Sequence, residues 1–348
     1  MRIEEIDKNF KLQGLPEGVE LQYTDVREAP FKVWGLMYED DSFCRLPDSV
    51  AKATNPGVYS LHEHCAGGRV TFRTNSKFVA IAAKVRSIGK MSHFTTIGSA
   101  GFDLYQENDF VYSFCPPYNY ENGYSASYTF ADREERSLLI NFPLYTAVES
   151  LYIGLEKGAT LEAYNPYRDV LPIVYYGSSI TQGGCASRPG NAYQAKLSRE
   201  LLVDHINLGF SGSARGEQVM ADYIASLPMS VFVMDYDHNA PSPEHLRNTH
   251  ESFYKTVREK NPTLPIVMTT APDISHRPAS FEERRRIVMD TYLKARAAGD
   301  ANVYFIDGAS FYQGTDKDYC TVDGCHPNDM GFYQMAKGFL PTLKKLLK

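Results

Sequence analysis

Much of what would assign this 348-residue chain at a glance is missing from it. No window approaches the ~18 consecutive apolar residues that a membrane-crossing helix needs. Positive charge is not in excess either: 36 Lys and Arg stand against 42 Asp and Glu, a formal charge of −6. Such a balance offers no basic field, so neither nucleic acid nor an anionic membrane is an expected partner. The six cysteines, Cys44, Cys65, Cys115, Cys185, Cys320 and Cys325, include no CxxC pair. That scatter suggests neither a tight zinc motif nor a dense disulfide framework. The opening residues 1–10 lack an apolar core and a small-residue cleavage site, and do not read as a signal peptide. The expectation is a cytoplasmic protein with reduced thiols, unless a leader precedes the sequence. Internal repeats and low-complexity segments are absent.

What is present is ordinary in bulk and specific in detail. Apolar residues make up 43% and charged residues 22%, values of a globular protein with a real core. The length exceeds the ~100–200 residues of a usual domain, so two domains are expected. Residues 1–168 read as a β-sandwich or jelly-roll-like domain. Short runs such as Arg69-Val70-Thr71-Phe72-Arg73 and 78–85 are separated by turn residues such as Ala66-Gly67-Gly68 and Thr74-Asn75-Ser76, with no convincing amphipathic helix between them.

Residues 169–348 change rhythm. Apolar runs at 173–176, 231–234, 266–268 and 303–306 resemble strands buried on both faces. Helical patterns lie between and after them, near 191–203, 215–226, 244–260, 280–298 and 329–347. Alternation of this kind predicts a three-layer α/β/α domain with a parallel sheet. In open parallel sheets, reactive groups gather where strands end. Gly177-Ser178-Ser179, Gly209-Phe210-Ser211-Gly212 and Asp237-His238-Asn239 each follow an apolar run, so all three should open on one edge.

Near the C-terminus runs Asp323-Gly324-Cys325-His326-Pro327. A serine hydroxyl becomes a useful nucleophile only when a base takes its proton, and the base works best when a carboxylate fixes its tautomer. Asp323 and His326 on one turn can meet that need, with Ser179 delivered by the fold. Other readings of each piece stay open. Gly-Ser-Ser can be a plain turn, Asp323 can cap the helix starting near Asn328, Asn239 can be a turn asparagine and Gly212 a loop glycine.

Together these blocks resemble the SGNH (GDSL-type) hydrolase superfamily. Its first block, Gly-Asp-Ser-Ile-Thr, is similar to Gly177-Ser178-Ser179-Ile180-Thr181. The second-block glycine corresponds to Gly212, the third-block asparagine to Asn239, and Asp-x-x-His-Pro to Asp323 through Pro327. Gly101-Phe102-Asp103-Leu104-Tyr105 resembles the Gly-x-Asp-Leu-Tyr signature of a β-rich domain preceding some bacterial SGNH esterases. Two departures stand out: Ser178 replaces the usual aspartate, and the third block lacks the Gly-x-Asn-Asp form.

The resemblance implies a Ser179–His326–Asp323 triad. It also implies an oxyanion hole made by the backbone N–H groups of Ser179 and Gly212 and the side chain of Asn239. Such chemistry requires no metal or organic cofactor. The implied activity is hydrolysis of a short-chain, acetyl-type ester, with a sugar or oligosaccharide as the favoured substrate. A non-catalytic glycan-binding protein, or an esterase or acyltransferase acting on another small molecule, is the competing expectation.

Arg188 in the loop after the nucleophile is a candidate substrate contact, or a solvated surface arginine. Asp237 and His238 flank the third block and either line the pocket or pack structurally. Nine aromatics between residues 105 and 130 suit stacking on sugar rings or half-buried sheet packing. His62 and His64 would share a face on a strand and suggest a metal pair, but no further ligand is evident. Cys325 has no second activating group and is not an expected nucleophile. Oligomeric state is not legible.

Overall fold

A computed structural model describes residues 1–8, 19–86, 90–120, 122–273 and 278–348. The chain divides into two compact units, one of Met1–Arg45, Glu63–Tyr167 and Ser187–Gly190, the other of Leu46–His62, Arg168–Ala186 and Asn191–Lys348.

The first unit is built on two antiparallel sheets. One has four strands in the order Leu21–Asp25, Val148–Glu156, Phe78–Val85, Tyr124–Thr129. The other has five: Lys32–Trp34, Arg69–Thr74, Arg136–Asn141, Phe102–Gln106, Asp109–Phe114. Side chains of successive strand residues point to opposite faces, and Phe78–Val85 uses both. Val79, Ile81, Ala83 and Val85 join Val70, Phe72, Leu104, Leu138 and Ile140 in the core between the sheets. Phe78, Ala80 and Ala82 face the other way, against Ile6, Leu21 and Tyr23. Burial on both sides explains why residues 78–83 are continuously apolar rather than alternating.

The second unit holds a five-stranded parallel sheet in the order His205–Gly209, Ile173–Gly177, Val231–Asp235, Ile266–Thr269, Val303–Ile306. Val174 and Tyr176 pack into one core with residues of the helices Gln218–Ser226, Pro243–Lys260 and Ala279–Ala297. Tyr175 points to the opposite face, where its ring lies 5.6 Å from Tyr193. Tyr193 in turn stacks 5.2 Å from Phe339 on the last helix, Asp329–Leu346. The sheet is therefore covered by helices on both faces, as the doubly apolar strands require. The chain enters at Ile173–Gly177, turns to one neighbour and then to the other, so the order reverses at the C-terminal end of that strand.

One expectation needs correcting. The first 165 residues do not lack helices: Asp48–Thr54, Pro56–Leu61 and Thr96–Ala100 are helical. Each is too short for a 3.6-residue period to show in sequence. Asn55 ends the first of them and caps the second, accepting from the Val58 N–H at 2.9 Å, with Pro56 in the first turn. Leu46, Ala51 and Val58 pack into the core of the second unit. Among the described residues, no helix is long and apolar enough to cross a membrane.

Candidate active site

Ser179 opens the short helix Ser179–Gln182 directly after the strand Ile173–Gly177, at the point of strand-order reversal. That helix lies so close on the strand ends that only glycine fits beneath it. A Cβ at Gly177 would come 2.1 Å from Thr181 Oγ1, and one at Gly209 would come 2.2 Å from the backbone nitrogen of Gln182. Buried polar groups fix the helix further. Asn207 Nδ2 and Gln194 Nε2 both donate to the Thr181 carbonyl at 2.7 Å. The Thr181 hydroxyl donates to Asp235 Oδ2 at 3.0 Å, and Gln182 Oε1 accepts from the Ser211 N–H at 2.9 Å. Asn207, Gln194, Gln182 and Asp235 are supports to which sequence reasoning gave no role. A polar residue ending an apolar strand was the only signal for Asp235. Burial, reinforced by the charge of Asp237, pushes the Asp235 carboxyl well above its usual range.

Ser179 Oγ lies 3.0 Å from His326 Nε2, and His326 Nδ1 lies 2.8 Å from Asp323 Oδ2. The fold thus joins residues 147 positions apart into one hydrogen-bonded chain. Asp323 is held by its own loop: Oδ1 accepts from the N–H groups of Cys325 at 2.9 Å and His326 at 2.7 Å, while Gly324 takes φ +78°. Partial burial works to raise the Asp323 carboxyl, but the hydrogen bonds from His326 and from these N–H groups outweigh it and lower the pKa to about 2. The helix cap at 328 is Asn328, accepting from Met330 N–H at 3.0 Å and Gly331 N–H at 3.2 Å; Asp323 is committed to the imidazole.

Gly212 has φ +67°, and a Cβ there would meet nothing within 4 Å. Its requirement is conformational: a left-handed backbone that leaves the peptide open to approach. Asn239 Nδ2 donates to the Phe210 carbonyl at 2.8 Å, which aims the amide using one of its two hydrogens.

Asp237 and His238 have partners of their own. Asp237 Oδ2 accepts from the Ala271 N–H at 3.1 Å, and its carbonyl accepts from the buried Arg284 at 2.8 Å. His238 Nε2 sits 3.3 Å from Cys325 Sγ, with its ring edge-on to Phe281. Arg188 belongs to the first unit, its Nε 3.7 Å from the fully buried Asp103 and its guanidinium 3.9 Å over the Phe110 ring. Asp103 also accepts from the Gly190 N–H and the Asn141 side chain, each at 2.7 Å. The charge of Arg188 is therefore engaged with the aspartate of the Gly-x-Asp-Leu-Tyr segment.

Of the aromatics at 105–130, Tyr124 is buried with its hydroxyl on the Ala100 carbonyl, and Tyr112 packs 5.1 Å from Tyr128. Tyr118 is 73% exposed, with Lys90 Nζ 3.5 Å over its ring. His62 ends the helix Pro56–Leu61, its Nδ1 2.6 Å from the Tyr59 carbonyl, so it is not on a strand. Among the described residues, one set that brings metal-ligating atoms together is Asp323, Cys325 and His326, within 4.8 Å of one another.

A parallel sheet with a serine at its reversal point, linked to an imidazole and a carboxylate, is the architecture of an α/β serine hydrolase. Residues 171–344 match the GDSL-like Lipase/Acylhydrolase family, and the chain belongs to that family of carboxylic ester hydrolases. Residues 21–161 match a second model, described as the N-terminus of Esterase_SGNH_hydro-type. Among solved structures, a GDSL-like lipase from Bacteroides ovatus ATCC 8483 is 29% identical, covering 94% of this chain and 98% of its own with a TM-score of 0.86. A salicylyl-acyltransferase from a tetracycline biosynthetic pathway shares the fold at 19% identity, TM-score 0.78, over 94% and 97% of the two chains. So does an acetyl xylan esterase from the rumen bacterium Butyrivibrio proteoclasticus, at 12% identity, TM-score 0.64, over 94% and 98%. No curated protein matches the chain.

Proposed function

We propose that the protein is a serine esterase that removes a short acyl group, acetyl foremost, from a carbohydrate ester. The observation that carries this reading is the unbroken path from Ser179 Oγ through His326 to Asp323, at 3.0 and 2.8 Å. Ser179 attacks the acyl carbon while His326 Nε2 takes its proton. Asp323 holds the other ring nitrogen protonated and stabilises the imidazolium. The N–H groups of Ser179 and Gly212 and the amide of Asn239 receive the oxyanion. His326 then protonates the leaving alcohol, and water, activated the same way, releases the acid. The second unit carries this chemistry, with the first as an accessory β-sandwich. The sugar preference draws on fold relatives, among them an acetyl xylan esterase.

A second reading, acyl transfer to an alcohol, draws on the salicylyl-acyltransferase likeness. It uses the same acyl-enzyme and differs only in the acceptor. A purely glycan-binding role would have no use for all three linked side chains.

The test is hydrolysis of p-nitrophenyl acetate and of acetylated sugars by the wild type and by Ser179→Ala. The variant should lose at least ~10³-fold in kcat, and equal, negligible turnover by both proteins refutes the esterase reading. Faster acyl chains beyond about four carbons would remove the acetyl preference. Partition of the acyl group to an added alcohol in preference to water would favour the transferase.

A further inference from the structure

The loop that supplies the base and its carboxylate also carries a thiol the hydrolytic mechanism does not use. Cys325 stands between Asp323 and His326, it is partly exposed, and it is not in a disulfide. One donor atom from each of Asp323, Cys325 and His326 falls within a 4.8 Å cluster. A fourth donor comes from a different strand end: His238 Nε2, 3.3 Å from Cys325 Sγ. In tetrahedral coordination, a sulfur ligand at ~2.3 Å and a nitrogen ligand at ~2.0 Å stand about 3.5 Å apart. The His238–Cys325 pair is already near that spacing, and Asp323 and His326 each place a donor within 4.8 Å of the Cys325 sulfur. A set of one thiolate, two imidazoles and one carboxylate suits a borderline-soft ion such as Zn²⁺. Mg²⁺ and Ca²⁺, which prefer all-oxygen shells, are poorly served.

We propose that Cys325, His238, Asp323 and His326 form a binding site for a zinc-class divalent cation, and that its occupation switches the hydrolase off. The inhibitory half of the proposal rests on the triad reading given above. His326 and Asp323 cannot both ligate an ion and relay the serine proton, because ligation consumes the lone pair and the carboxylate oxygen that the relay uses. Binding forms the sulfur–metal bond as the Cys325 thiol proton leaves to solvent, and each histidine ligates as neutral imidazole with its one proton on the nitrogen that does not bind the ion. The state is reversible, and removing the ion restores the 3.0 and 2.8 Å hydrogen bonds of the resting chain.

Two independent readouts test this on the intact protein. Co²⁺ titration, followed by absorbance, should reveal a thiolate-to-cobalt charge-transfer band with tetrahedral d–d features. Zn²⁺ should inhibit p-nitrophenyl acetate hydrolysis, and a chelator should restore it. Cys325→Ser, which keeps the triad, should lose the band and tolerate at least ~10-fold more Zn²⁺ at wild-type basal turnover. Cys185→Ser should keep both band and sensitivity, which assigns the sulfur. Should Cys325→Ser fold poorly by its melting curve, His238→Gln provides the second variant, with the band retained at ~10-fold weaker Co²⁺ affinity. Absence of a band, a band without inhibition, or equal Zn²⁺ sensitivity in Cys325→Ser each overturns the proposal. If the wild type shows no turnover at all while the Cys325-dependent band forms, the esterase reading fails and the cation site stands.

Discussion

The Ser178 hydroxyl accepts a hydrogen bond from the Ile180 N–H at 3.1 Å and caps the helix that begins with Ser179. Aspartate, the usual residue of the family block at this position, is an equally good N-cap. The substitution therefore preserves the local physics: one oxygen acceptor, placed to satisfy a first-turn N–H of the helix that Ser179 opens. Ser178→Ala should cost about 1 kcal/mol of stability and Ser178→Gly only a few tenths, as capping series do. Urea denaturation of the two variants checks this, and a Ser178→Ala protein as stable as the wild type would show that the cap is dispensable.

Asp323→Asn separates two jobs that the carboxylate does at once. Asparagine Oδ1 can still accept from the N–H groups of Cys325 and His326, so the loop should hold its shape. The amide nitrogen in place of Oδ2 donates instead of accepting, which favours the wrong imidazole tautomer. Turnover should drop by roughly 10³–10⁴ with the melting temperature nearly unchanged. Because its pKa is lowered to about 2, below the ~3.9 of a free aspartate, the stabilisation it gives is complete above pH ~4 and fades as pH falls toward 2. The wild-type pH–rate profile should accordingly show no loss from Asp323 protonation above about pH 3. Wild-type turnover in Asp323→Asn would mean that something else orients the ring.

Asn239→Ala should lower kcat by ~10²–10³ with little change in KM, the pattern of a donor that acts only on developing charge. Asn239→Asp, which keeps the size but loses the amide hydrogens, should be at least as damaged. The Phe210 carbonyl contact is lost in both, so a melting curve on each variant separates stability from catalysis. A change confined to KM would remove Asn239 from the oxyanion hole.

The loop at 323–327 and its hydrogen-bonded link to Ser179 could be anticipated because their residue types are restricted by chemistry. Gly177 and Gly209 could be flagged as turn glycines, but what excludes a side chain there is the close approach of a helix, a tertiary fact. The helices at 48–61 were hidden because each spans fewer than two full periods. The partner of Arg188 was hidden for a related reason. Arg188 follows Ser179 by nine residues in sequence, yet its partner Asp103 lies 85 residues earlier, and only the folded β unit brings them to 3.7 Å.

Asp235 offers the sharpest test of the buried network. Its carboxyl is 4% exposed, accepts from the Thr181 and Tyr193 hydroxyls at 3.0 and 3.4 Å, and faces the charge of Asp237. Burial and that neighbour raise its pKa well above the usual value. A group raised in the folded state gives stability that is fully present below the unfolded pKa, ~3.9, and is lost as pH rises through the folded value. Wild-type stability should therefore decline as pH climbs above 4, through a window in which the unfolded chain has already released this proton. Asp235→Asn keeps an acceptor oxygen for the two hydroxyls and has no charge to desolvate, so it should flatten that slope and melt higher than the wild type at pH 8. Thermal melts of both proteins at pH 5 and pH 8 make the comparison. A variant that is less stable at pH 8 by as much as at pH 5 would mean that the carboxylate is ionised in place and held by the hydroxyls, and that burial is not the dominant influence on it.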